Sequence, residues 1–218
     1  MKKIIDQELG LIKKSVINFL NDLIEDLEKY AVSIENNETE RIALLIEQEK
    51  KINQTHDEIF EEIVWVISKE SPVAKDLRKL MAYSNMAREI EKLSNLIRLS
   101  FEKYLNTKNL NLKIFKKYFI LVFNFLISEL IAISYLISSY KDELINNIIT
   151  YENKINNYVQ KASISISNKI YAESEKKNLE TYFLLFYFLQ NIERCGNLAI
   201  QLVREKIFIF KNRYIEIN

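Results

Sequence analysis

Apolar residues recur three and four apart from Ile4 to about Ile34, the period of a helix with one buried face. The stretch ENNETER breaks the pattern, and Asn37 with Glu40 three residues on reads as the N-cap of a second helix over about 38–69. SPVAKDLRKL gives a further start signal: Ser71 as N-cap and Pro72 at the first helical position, where its missing N–H costs nothing. A third helix then continues to about Asn106, and NTKNLN closes the unit.

The same order returns. At an offset of 103, Leu11-Ile12-Lys13-Lys14 fall on Ile114-Phe115-Lys116-Lys117, Asn21 on Asn124, and Glu49, Ile52 and Asn53 on Glu152, Ile155 and Asn156. At 102, Ile90, Glu91, Asn95 and Leu96 fall on Ile192, Glu193, Asn197 and Leu198. This is an internal duplication of a three-helix unit, with halves of roughly 1–107 and 108–218. The expected fold is all-α, two tandem antiparallel three-helix bundles with helices of about 25–35 residues. Two glycines and one proline in 218 residues leave little besides long helices.

Each half carries E-x-x-x-N twice: Glu49/Asn53 and Glu91/Asn95, then Glu152/Asn156 and Glu193/Asn197. A spacing of four puts both side chains on one helix face. The first two motifs are centred on 51 and 93, with midpoint 72 at the predicted turn; the second two, on 154 and 195, meet near 174 inside YAESEKK. An antiparallel hairpin therefore brings each couple to one height. Two readings stand. The groups form an inter-helix hydrogen-bond network that holds register, or they hold a hard or borderline divalent cation (Fe, Mn, Mg, Ca or Zn), one per hairpin at most, since two carboxylates neutralise one such ion.

Charge narrows the partners. With 31 basic and 30 acidic residues the net charge is +1, so no global field favours nucleic acid. One cysteine forms no internal disulfide, and Asp6 and Glu8 interrupt the apolar run a signal peptide needs, so a cytoplasmic, reduced protein is expected. Residues 118–138 are long and apolar enough to span a bilayer. Glu129 near the middle and the alignment with the amphipathic first helix favour a helix buried in a bundle or a dimer interface. His56, the only histidine, reads as a solvated side chain, and the aromatic run YFLLFYFL at 182–189 as core. Cys195 reads as a small buried hydrophobe with Gly196 allowing a close approach beside it. No nucleophile–base pair, Gly-rich phosphate loop or pair of di-iron E-x-x-H motifs is present, so the chain is expected not to be an enzyme.

SPVAKDLR, EIEKLSNL, NIERCGNL, IEQEKKIN and ITYENKIN resemble, in order and spacing, segments of the PhoU family. SPVAKDLR resembles the family's P-V-A-x-D-L-R turn, through Pro72, Asp76 and Arg78 among others; NIERCGNL resembles its D-x-E-R-I-G-D-x-A segment through Glu193, Arg194, Gly196 and Ala199. The resemblance implies two three-helix bundles and a cytosolic regulator of phosphate uptake. Such a regulator binds the ATPase subunit of a phosphate ABC transporter and, where one exists, a phosphate-sensing histidine kinase, and meets the membrane only through those partners. A homodimer is expected because long bundles leave apolar stripes. Family members with multinuclear metal clusters carry E(D)-x-x-x-D, whereas this chain has Asn53, Asn95, Asn156 and Asn197 at the second position. The alternative reading is a bundle that stores or senses metal through the four Glu–Asn pairs.

Overall fold

The structure, a computed structural model, describes residues 2–48, 50–172 and 176–213. Among these the chain forms seven α-helices and no strand: α1 Lys2–Asn36, α2 Thr39–Gln48, α3 Lys50–Glu70, α4 Ala74–Leu105, α5 Leu112–Ser138, α6 Asp142–Ala172 and α7 Leu179–Lys211, with a 3₁₀ turn at Lys176–Asn178. The all-α expectation holds. The predicted second helix is described as two, α2 and α3, with residue 49 outside the described residues.

Two helix starts differ from the sequence reading. Asn37 lies in the left-handed region (φ 62°), where its N–H bonds the Ile34 carbonyl at 3.3 Å while Glu38 N–H reaches back to Ser33 at 2.8 Å. That pair of bonds is a Schellman stop for α1, and the Glu38 carbonyl, accepting from Ile42, opens α2. Ser71 is also left-handed (φ 46°), just after the end of α3, and α4 starts two residues later than Pro72 implied, with Val73 as its N-cap. The Val73 carbonyl accepts from Asp76 and Leu77 at 2.8 and 3.0 Å. Asn and Ser suit both the beginning and the end of a helix, so residue type alone did not decide between them.

Helices α1, α4, α7 and α5 pack in a ring, each on the next, as the centre of the molecule. Helices α2 and α3 cover the α1–α4 side, and α6 covers the α5–α7 side. One continuous core runs through both halves. Its middle is Phe101 of α4, stacked on Tyr30 of α1 at 4.0 Å and meeting Phe119 and Phe123 of α5 and Phe188 of α7 edge-on at 5.3–6.0 Å. Phe188 thus joins the core as expected, while Phe183 of the same run is exposed. Helix α5 is long and apolar enough to cross a membrane, and here it lays that surface against α1, α6 and α7.

The ring has an internal twofold character. Lys13 of α1 donates to the Ser138 carbonyl at the end of α5 (2.6 Å), and Lys116 of α5 donates to the Glu35 carbonyl at the end of α1 (2.8 Å). At the offset of 103 these are the same contact made twice, since Lys13 corresponds to Lys116 and Glu35 to Ser138. Each ammonium meets carbonyls left over at a helix C-terminus, where the helix dipole favours a cation. Lys206 of α7 adds a buried third, donating to the Ile137 carbonyl at 2.7 Å. Helices α4 and α7 are tied by Asn85 to Glu205 at 3.1 Å and, deep in the core, by Asn191 to Ser100 at 2.8 Å.

Candidate functional site: an acid cluster in the second half

The apolar α5 carries Glu129 with no exposed surface. Opposite it, Glu152 and Asn156 of α6 are one turn apart, and Asn156 Nδ2 donates to Glu152 Oε1 at 3.1 Å. Helix α7 closes the site with Cys195 and Gly196. A Cβ at Gly196 would run into the Glu152 carboxylate, so the glycine is what lets that acid lie against α7.

The electrostatics follow from burial. Among the described residues, no N–H or hydroxyl donor reaches either Glu129 oxygen, Glu152 Oε2 or Asn156 Oδ1. Two ionised acids facing one another in an apolar core would repel, with the single Asn156 amide bond to offset the lost hydration. The Glu129 carboxyl is accordingly pushed up to about 9, by burial first, then by the Glu152 charge and a hydrogen bond to Glu152. Glu152 is also raised, burial again leading, with Asn156 and Glu129 holding it down and Glu193 pushing it up. The pair is consistent at neutral pH only if Glu129 keeps its proton and donates it to Glu152. Burial, then Glu129, pushes the Cys195 thiol far up, which leaves it an inert apolar group.

The other predicted residues are arranged differently. Glu193 and Asn197 are exposed, and Asn197 Nδ2 bonds the Glu193 backbone carbonyl of its own helix at 3.1 Å. In the first half Glu91 lies 3.7 Å from His56 Nδ1, so the histidine is not freely solvated as expected: it is half-buried and also 3.1 Å from Asp57. Asn95 Oδ1 accepts from Arg98 at 3.4 Å, three residues on along its own helix. Glu49 lies outside the described residues, as does the side chain of Asn53. Glu152 and Asn156 thus stand against Glu129, an acid to which the spacing of four does not point. A lone acid in so apolar a helix was the available signal.

The turn motif does different work. Asp76 pairs with Lys79 at 3.1 Å in the first turn of α4, where the helix dipole favours an anion. Arg78 donates to Asn212, the left-handed C-cap of α7, and its guanidinium lies 5.5 Å from the Phe208 ring. The motif thus fastens the start of α4 to the end of α7. Pro72 lies in the short link before α4.

The metal clusters that the resemblance implies find few donors here. Among the described residues no three His, Cys, Asp or Glu side chains are grouped to hold a metal. The buried oxygens of Glu129, Glu152 and Asn156 that no N–H or hydroxyl donor reaches belong to two carboxyl groups and one amide, too few acids for a multinuclear cluster.

The PhoU domain family matches residues 14–98, from α1 to α4. Over 98% of its length the chain is similar in structure to the phosphate transport system regulatory protein PhoU from Streptococcus pneumoniae, covering 100% of that chain with a TM-score of 0.85 at 14% identity. PhoU from Pseudomonas aeruginosa is similar over 97% of each chain, with a TM-score of 0.68 at 13% identity. No curated protein sequence matches. The match to the PhoU domain thus covers part of the first half, and over nearly its whole length the chain has the fold of solved PhoU proteins, the family that its sequence resembles.

Proposed function

We propose that this protein is a cytosolic, PhoU-like regulator of phosphate uptake that acts by contact, on the ATPase subunit of a phosphate ABC transporter and, where the cell has one, on a phosphate-sensing histidine kinase. The observation that carries this is the likeness in fold, end to end, to a phosphate transport system regulatory protein. A body of long helices around one core suits the task. It shifts a partner between states by no more than its differential affinity for them. The test is a pull-down of the tagged protein from its own cells grown in high and in low phosphate. Recovery of an ABC-transporter ATPase, more in one condition than in the other, is the expected result. Its absence from both would refute the reading.

A second reading, cation binding, is favoured by one observation: the buried oxygens of Glu129, Glu152 and Asn156 that no N–H or hydroxyl donor reaches. Elemental analysis of protein purified without chelator, beside Glu129→Gln and Glu152→Gln, tests it. One equivalent of metal lost in both variants supports it; negligible metal in all three ends it.

A further inference from the structure

The duplication supplies an internal comparison. The α2–α3 stretch and α6 are the same element of the unit, each lying outside the central ring. At the offset of 103, Asp57, Glu58 and Glu61 of α3 fall on Gln160, Lys161 and Ile164 of α6, all exposed. On α3 the water-facing side carries Asp57, Glu58 and Glu61, with half-buried Glu62 beside them. None of the three counterparts on α6 is acidic, so packing does not require the acids of α3. Among them stand three large apolar side chains: Phe60 is 49% exposed, Val64 45% and Trp65 47%, with the Lys69 ammonium 4.3 Å from the Trp65 ring. Glu8 of α1 is a further acid near this face: the Glu62 carboxyl is raised by burial first and by Glu8 second.

Such a face suits one kind of occupant. Nucleic acid and anionic lipid are repelled by its sign. An acidic peptide is repelled likewise. We infer that the outer face of α3 is the docking surface for a basic amphipathic helix of a partner protein, whose apolar stripe covers Phe60, Val64 and Trp65 while its lysines or arginines meet Asp57, Glu58 and Glu61. Apolar contact at the centre supplies the affinity and the charged rim supplies orientation and association rate. The inference rests on the reading of this chain as a protein that acts by contact, and it names the chemistry of the contact.

Trp65 is the only tryptophan, so its emission reports the face without a label. The probe is a synthetic helical peptide with leucines on one side and lysines on the other, and its counterpart has glutamate at every lysine. The expected result is a saturable blue shift with the lysine peptide alone, weakening as salt is added. Charge reversal at both Glu58→Lys and Glu61→Lys lowers the affinity by about tenfold or more. Glu25→Lys, an exposed reversal on α1, leaves it unchanged, and far-UV circular dichroism shows both variants folded. The inference fails if neither peptide shifts the emission, if both do so equally, or if the double reversal binds as before. Sedimentation showing self-association that the double reversal abolishes would give the face to a second copy, through its lysine-bearing α6, and would also overturn the inference. A failed titration leaves the pull-down reading standing, so the two are judged separately.

Discussion

Replacing Glu129 by Gln should stabilise this protein, although Glu129 is fully buried in the core. In the unfolded chain the carboxyl titrates near 4.5, and in the fold it is pushed up to about 9. Folding at pH 7 must therefore protonate a group that is ionised when unfolded. The cost is about 1.4 kcal/mol for each of the roughly 2.5 pH units between 4.5 and 7, or about 3 kcal/mol. Between these two values the native state holds one more proton than the unfolded state. The contribution of Glu129 is thus most favourable below the unfolded pKa, and stability falls as pH rises, levelling above the folded pKa. Gln has the shape of the protonated acid, and its amide can donate to Glu152 as the O–H does, with no proton to acquire. Urea denaturation followed at 222 nm, with chelator, at several pH values from about 5.5 to 8.5 measures the difference. The variant should be more stable by about 3 kcal/mol at pH 7, and the gap should widen by about 1.4 kcal/mol per pH unit. Parallel curves for the two proteins would refute the shared-proton account. A variant that is less stable, together with a wild type that gains from added divalent cation, would instead mark Glu129 as a ligand.

The two glycines should respond in opposite ways to alanine. Gly10→Ala meets nothing within 4 Å and should gain about 1 kcal/mol from helix propensity, whereas Gly196→Ala pushes on Glu152 and should lose about 1 kcal/mol net of that gain; equal midpoint shifts in urea would show that Gly196 makes no close approach. Lys206, lowered from 10.5 to about 8 by burial first and Lys13 second, loses its proton earlier in the fold than in the unfolded chain. Wild-type stability relative to Lys206→Met should therefore rise with pH between about 8 and 10.5, and a flat difference would refute this. Cys195 should resist an aromatic disulfide reagent in the native state and react at once in denaturant; rapid native labelling would show that α7 opens.

Much of this architecture was legible in the sequence because helices of this length are written in their periodicity. The link at 106–111, the helical hairpins and the burial of Phe188 and Cys195 all follow from patterns along one chain. Asn37 and Ser71 were misassigned because their left-handed φ is set by how one helix must stop, not by how the next one starts. The candidate site was half legible. A spacing of four shows that Glu193 and Asn197 share a face, but not that this face looks to water, and it says nothing of an acid arriving from a third helix. Glu129 was visible as a cost in an apolar run. That it lies against Glu152 is a property of how α5 and α6 pack.

The reciprocal exchange of Lys13 and Lys116 has a consequence for ancestry. A shorter polypeptide holding a single copy of the unit would leave open to water the face of α1 and α4 that packs on α5 and α7, and two such molecules related by a twofold axis would close it with this same lysine contact on both sides. Joining the copies end to end makes that encounter intramolecular, at effective concentrations on the order of millimolar. It also releases each copy from having to accept every change made in the other. Asp26, the counterpart of Glu129 at the offset of 103, stays near the surface and pairs with Lys29 at 3.0 Å. Only in a fused pair can one acid be drawn into the core while its twin stays in water.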